Sequence, residues 1–342
     1  MTLRWGIVTA GKICHDFVNA FNSYPDKGNQ IIFGIAARDK NKAEEFAAIH
    51  HIEKVFDSYE DMAKSKDIDV AYIGSLNIYH YDLAKLFLNN GKHVLCEKPL
   101  CFNSDEVESL TELARTKNLF LMEGIWSRFS PAYYDLEQII ASGVIGDVRF
   151  LEANFGIFTE DKRITTRNYG GSAVLDIGVY VLQLAQFVFK DSPKRVIAVG
   201  KRNHDEVDVS ETIVLEYDDD RRAVLNTNTQ LELVNQAVVY GTKGHITLQP
   251  PFHFPNKMIL QDGKVKEYTL HTSALPYHYE NSAGLVYEAI EVEKCIRQGL
   301  TESPRMSHSE SRLLALLEDC VRRDLNVSIN SKNRHYKKIL IL

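Results

Sequence analysis

Over the first 125 positions, short apolar runs alternate with stretches whose apolar residues recur at helical spacing. "LRWGIV" (3–8) reads as a buried strand, and "GKICHDFVNAFNSY" after it places Ile13, Phe17, Ala20 and Phe21 on one helical face. The alternation continues through the strands "QIIFGIAA", "KVFD", "IDVAYIG", "KHVLCE" and "LFLMEG", with a helical stretch before each of the later ones. Gly91 ends the fourth helix, and Asn103 or Ser104 caps the fifth, which runs to Lys117. Strand and helix in turn predict a doubly wound parallel sheet that closes near Gly124.

Beyond Gly124 the pattern changes. "SPAYYDLEQIIASG" is a helix with Ser130 as its cap and Pro131 at its first position. Strands then come at short spacing: "VRFLEANFGIF", "RVIAVGKR", "TIVLEY", "AVLNTNTQLEL", "QAVVYGTKGHITLQ" and "KMILQDGKVKEYTL", with "GTKG" and "DG" as hairpin turns. One apolar helix, "GGSAVLDIGVYVLQLAQFVFK", interrupts them, and two helices close the chain. This predicts an α+β half with a large, mostly antiparallel sheet. The expected division is 1–124, 125–330 and a basic tail, 331–342, with four basic and no acidic side chains. Too few helices follow the strands to cover both sheet faces. A homodimer is therefore expected to bury the free face, with Arg149 and Arg202 at its rim.

The 342 residues leave room for two cores, and 44% apolar with 25% charged residues is the balance of a soluble globule. A formal charge of -6 argues against nucleic acid or an anionic membrane as partner. No apolar run approaches the ~18 residues needed to cross a bilayer. "MTLRWGIV" enters a strand at once, without a secretory signal, so the Asn326-Val327-Ser328 sequon reads as chance. Five cysteines without paired metal spacing predict reduced thiols, no metal centre and a cytoplasmic protein.

Three strand ends carry candidate chemistry. "GIVTAGKIC" joins the first strand to the first helix, so Thr9, Ala10, Gly11, Lys12 and Ile13 form the turn that would receive a pyrophosphate. Gly11 holds the second glycine position of the dinucleotide fingerprint; Thr9 and Cys14 stand where its first and third glycines would be. The second strand ends in Arg38, with Lys42 a turn further on. A guanidinium there suits the 2′-phosphate of NADP, whereas Asp39 either accepts from a ribose hydroxyl or caps the next helix. The fifth strand ends in "CEKPL". Pro99 forces Lys98 into an extended conformation at the carboxyl edge of the sheet, where ligands bind.

With "GIVTAGKIC", Asn77-Ile78-Tyr79-His80 and Glu97-Lys98-Pro99 in view, residues 3 to 325 resemble the glucose-fructose oxidoreductase and inositol dehydrogenase (Gfo/Idh/MocA) family. "EGIWSRFSPAY", "GGSAVLDIGVY", "YGTKG", "NSAGLVYEA" and "ESPRMSHSES" resemble a branch of it that oxidises trans-dihydrodiols and D-xylose with NADP. The family often has proline where this chain has Leu76, and histidine where it has Tyr180. The resemblance implies a Rossmann domain, NADP as cofactor and a diol or sugar substrate. It also implies cofactor contacts from Asn77, His80, Glu97 and Lys98, and catalysis by Lys98 and Tyr180 with Asp176 as orienting group. Trp126, Phe155 and Phe158 are candidates for an apolar substrate wall, with Arg128 beside them. An aromatic of each kind is more often plain core. A relative acting on another polyol or cyclic carbonyl, and a non-catalytic NADP sensor, are the alternatives.

Asp176 and Tyr180 are four apart in an apolar helix and share a face. Taken alone they read as a satisfied core pair. If catalytic, Tyr180 removes the hydroxyl proton while hydride leaves the carbon. An ordinary phenol titrates near ~10. A lysine ammonium about 4 Å away would lower that by roughly three units before desolvation opposes it. Lys98 is thus expected to bring Tyr180 into working range.

Overall fold

The computed structural model describes residues 2–328. The predicted tail, 331–342, lies outside the described residues. The first half runs β1 (Leu3–Val8), α1 (Lys12–Ser23), β2 (Gln30–Ala36), α2 (Lys40–His50), β3 (Lys54–Val55), α3 (Tyr59–Lys64), β4 (Val70–Ile73), α4 (His80–Asn89), β5 (His93–Glu97), α5 (Ser104–Lys117) and β6 (Leu121–Gly124). All six strands pair in parallel, in the order β3-β2-β1-β4-β5-β6. Helices cover both faces, so β4 is buried along its whole length. The chain winds outward from β1 to β3 and then restarts at β4. This leaves a crevice at the carboxyl ends of β1 and β4, where loops diverge to opposite faces.

Local signals hold where side chains serve as caps. Asn103 accepts from the Glu106 amide at the start of α5. Ser130 accepts from the Tyr133 amide at the start of α6 (Pro131–Ala141). Asp39 accepts from the Lys42 amide and caps α2. That was one of its two possible roles.

The second half continues with β7 (Val148–Gly156), α7 (Lys162–Thr165), α8 (Val179–Phe189), β8 (Arg195–Arg202), β9 (Asp208–Glu216), β10 (Arg222–Asn228), β11 (Ala237–Gly241), β12 (Gly244–Leu248), β13 (Lys257–Ile259), β14 (Val265–Glu267), α9 (Val286–Arg297) and α10 (His308–Asp324). Eight strands form one sheet in the order β14-β13-β12-β11-β7-β10-β9-β8, antiparallel except for β7 with β10. α8 packs on β7 and β10. The helical run Arg167–Phe189 has the length and mean hydropathy, 1.6, to cross a membrane, but 94% of its apolar window is buried in the protein. Its apolarity is that of a core helix. α10 packs against both α5 and α8, and thus ties the two halves together.

Two boundaries differ from the sequence reading. β10 stops at Asn228 rather than continuing through Leu233, because the Asn228 side chain accepts from the amides of Gln230 and Leu231 and turns the chain. The expected single helix over 170–190 contains a π-helical turn, Val174–Gly178, before α8 begins.

Candidate active site

A cleft of about 1990 Å³ runs from the carboxyl edge of the parallel sheet to the face of the second sheet. Thr9, Ala10, Gly11, Lys12, Ile13, Arg38 and Lys42 line one end, and Glu97, Lys98, Trp126, Phe155, Asp176 and Tyr180 line the other. The cleft therefore gathers most of the residues singled out by sequence from far-apart positions.

At the first end, α1 starts at Gly11 without any side-chain cap. Its opening amides therefore lack the partner that a capping side chain would give them. A Cβ on Gly11 would lie 3.5 Å from Thr9 Oγ1 and 3.6 Å from the Gly74 carbonyl, which are ordinary contacts. Packing does not demand glycine here; the bare backbone serves what enters the cleft. Thr9, at the first glycine position, has φ of 83°. Its hydroxyl donates to the Gly74 carbonyl at 2.8 Å, a bond that helps hold this conformation. Arg38 lies over the Tyr79 ring, 5.6 Å from its centroid, and is otherwise exposed.

At the other end, Lys98 and Pro99 are joined by a cis peptide bond. Lys98 Nζ donates to the Asp176 carbonyl at 2.6 Å and to Asp176 Oδ1 at 3.3 Å. The π-helical turn carries Asp176, and departure from regular helical bonding at that turn presents its carbonyl to Lys98. Arg163, in α7, also clamps the Asp176 carboxylate, with its second contact at 3.4 Å. Burial alone would raise Asp176, but the Lys98 and Arg163 cations overcome it and hold the carboxylate at about 2.

Tyr180 departs from the expectation. Lys98 Nζ stands 5.0 Å from the centroid of the Tyr180 ring, on its face, and its hydrogen bonds go to Asp176. The Tyr180 oxygen accepts instead from Trp126 Nε1 at 3.0 Å. Burial, and then the neighbouring Glu97 carboxyl, push the phenol well above 10. The expected lowering is therefore not seen: burial and the Glu97 carboxyl outweigh any effect of Lys98. Among the described residues no acceptor takes the Tyr180 proton.

Other sequence candidates fall into place around this core. Trp126 stacks on Phe254 at 4.3 Å, and Phe155 lies 5.7 Å from Tyr180, so both belong to an aromatic wall. Glu97 lines the cleft, is buried, and accepts from the Tyr72 hydroxyl at 2.6 Å. Burial raises its pKa. His80 does not line the cleft: its ring nitrogens lie 2.7 Å from the Pro99 carbonyl and 3.1 Å from the Ser75 carbonyl. It secures the loop that carries Lys98. Asn77 also lies outside the cleft lining and donates to the Gly170 carbonyl at 2.9 Å. Arg128 is a correction. It is buried, donates to Gln183 Oε1 at 2.8 Å and to Glu310 Oε1 at 2.6 Å, and ties α8 to α10. Phe158 is another: it is 64% exposed, past the end of β7, and does not line the cleft.

Sequence reasoning missed Arg163 and His253. Arg163 sits in "TEDKRITTRN", a polar stretch without periodicity. His253 stacks on Phe155 at 4.6 Å and lies 4.9 Å from Tyr180, and burial followed by the Lys98 charge lowers its pKa to about 3. The aromatic run "PPFHF" was its only signal.

An oxidoreductase that uses a nicotinamide dinucleotide is the class this fold and cleft define. Residues 3–125 match the family described as "Oxidoreductase family, NAD-binding Rossmann fold", residues 133–247 match the "GFO/IDH/MocA C-terminal domain", and the chain belongs to the GFO/IDH/MocA family. It is 40% identical over 330 residues to trans-1,2-dihydrobenzene-1,2-diol dehydrogenase of Xenopus tropicalis, covering 96% of this chain and 99% of that one. The Homo sapiens protein of the same name is 38% identical over 336 residues, covering 98% and 100%. Among solved structures, KijD10, a 3-ketoreductase from Actinomadura kijaniata in complex with TDP-benzene and NADP, superposes with a TM-score of 0.77 at 25% identity, covering 94% of this chain and 97% of that one. Levoglucosan dehydrogenase in complex with NADH and levoglucosan has the same fold, with a TM-score of 0.81 at 18% identity, covering 95% and 98%.

Proposed function

We propose that the protein is an NADP-dependent dehydrogenase that oxidises a hydroxyl of a trans-dihydrodiol or of an aldose of the D-xylose type. One observation carries this reading. A single cleft joins Arg38 and Lys42, the uncapped start of α1, and the Lys98, Asp176 and Tyr180 cluster. Its volume, about 1990 Å³, exceeds the ~300–1,000 Å³ of a drug-sized pocket and suits a dinucleotide together with a substrate.

The residues fit that cofactor. The amides of the first turn of α1 suit a pyrophosphate, and Arg38 suits a 2′-phosphate. When bound, oxidised NADP supplies the hydride acceptor. Trp126, Phe155 and His253 offer rings to a cyclic diol or to the apolar face of a sugar. During reduction Tyr180 gives its proton to a carbonyl oxygen; oxidation runs the same step backwards, so the phenol must first lose its proton to solvent through the open cleft before the tyrosinate takes the hydroxyl proton. Its raised pKa makes the proton-donating form the resting one. Lys98, fixed by Asp176, supplies positive charge beside the developing alkoxide. Trp126 steadies the Tyr180 oxygen.

The favoured assembly is a homodimer through the outer face of the eight-stranded sheet, where Val199 is 64% exposed and Tyr240 37%. Arg149 and Arg202 lie at strand ends and are engaged locally, with the Asp219 carbonyl and with Glu206. Light scattering of micromolar protein should give twice the chain mass; a monomer would remove this part of the reading. The activity itself is tested by incubating the protein with NADP or NAD and trans-dihydrobenzenediol, D-xylose or other polyols, and following reduced-nicotinamide absorbance. Turnover of the dihydrodiol or D-xylose with preference for NADP is expected. Turnover confined to another polyol or cyclic ketone, or to NAD, would contradict it.

A further inference from the structure

We propose that His15, Asp16 and His278, joined by His50, form a binding site for a divalent transition-metal ion that latches residues 269–285 across α1. The four side chains come from three separate places: α1, the last residue of α2, and the link between β14 and α9. One ligand atom each from His15, Asp16 and His278 lie within 4.8 Å of one another. The rings of His15 and His278 are 4.9 Å apart, and those of His15 and His50 are 4.6 Å apart.

The hydrogen bonds prepare His15 as a ligand. Its Nε2 lies 3.1 Å from the Pro276 carbonyl, and its Nδ1 lies 2.9 Å from His50 Nε2. A proton on Nε2 satisfies the carbonyl and makes Nδ1 the acceptor from His50 Nε2, so an ion would take the Nδ1 lone pair by displacing that one hydrogen bond while the carbonyl holds the ring, as metal-binding histidines commonly are held. Asp16 is fully buried, and its two oxygens accept from the amides of His278, at 2.8 Å, and Tyr279, at 2.9 Å. Each oxygen keeps a further lone pair.

Imidazole nitrogens with a carboxylate suit zinc, copper or nickel. With metal–ligand distances of about 2.0–2.2 Å, a tetrahedral shell spaces its donors about 3.4 Å apart, so side-chain movements of roughly 1 Å close the site. His278 is exposed and free to make that movement. The place of the site gives the ion a consequence. Lys12 and Ile13 of α1 line the cleft, as do Tyr279 and Glu280 immediately after His278. An ion there would fasten the link to the helix whose start receives the cofactor. The expectation of no metal centre rests on the cysteines, and these histidines lie far apart in the chain.

Zinc titrated calorimetrically into the untagged full chain tests the proposal. One ion per chain is expected, with a melting temperature raised by a few degrees at saturation. Affinity should fall at least about tenfold in His15→Ala and in His278→Ala. It should be unchanged in His271→Ala, on the same link but outside the cluster. His278 is exposed, so its variant keeps the fold and remains decisive if His15→Ala unfolds. Failure to bind zinc at millimolar concentration, or equal affinity in wild type and His278→Ala, would overturn the site. Either result leaves the dehydrogenase reading untouched, since that is judged by turnover.

Discussion

Asp176→Asn keeps the shape of the side chain and removes the charge that pairs with both Lys98 and Arg163. The wild-type carboxylate is held at about 2, against about 3.9 for an unfolded aspartate. That difference corresponds to about 2–3 kcal/mol of stability. The sign follows from the depressed value. The contribution is present in full above about pH 4 and is lost as the pH falls through about 2. Asp176 and Lys98 side chains are each 15% exposed, so solvent screens the pair little. Urea unfolding of both proteins at a series of pH values measures the gap. At pH 7 the variant should be less stable by about 2 kcal/mol or more, because two cations then lack their counter-charge. The gap should narrow below about pH 4 as the wild type loses its advantage. A gap that stays constant as the pH falls, or no gap at pH 7, would refute this account of Asp176.

Arg38→Ala should weaken NADP by roughly 1.5–3 kcal/mol, the range for a hydrogen bond to a charged group, and leave NAD nearly unchanged; equal losses in titrations of the two cofactors would detach Arg38 from the 2′-phosphate. Gly170→Ala should destabilise the protein by at least about 1–2 kcal/mol, since φ there is 79°. Its Cβ would fall 2.0 Å from Asn77 Oδ1, so a melting temperature equal to the wild type would show that the contact between Gly170 and Asn77 yields freely.

The alternating first half was legible because each buried strand of a parallel sheet is a continuous apolar run and each covering helix is amphipathic. The hairpins of the second sheet were legible from "GTKG" and "DG". The π-helical turn was not, since its residues differ little from those of the α-helix it interrupts. In the site, Lys98 was legible because proline fixes the backbone beside it. Arg128 was misread because a buried guanidinium satisfied by Gln183 and Glu310 looks, in sequence, like one that awaits a ligand. Phe158 was misread because "VRFLEANFGIF" reads as one strand to its last residue, whereas β7 ends at Gly156. The state of Tyr180 was out of reach, since it depends on Trp126, Glu97 and Asp176, which only folding brings around it.

The pH dependence of oxidation in wild type and Tyr180→Phe tests the central claim most directly. Tyr180 lies well above 10, so wild-type oxidation with NADP should climb with pH through the neutral and alkaline range, without a plateau below about 10. Tyr180→Phe should bind NADP normally, turn over at least ~10²-fold more slowly, and lose that dependence. Near-normal turnover in Tyr180→Phe with the alkaline rise intact would contradict the account and place the base elsewhere.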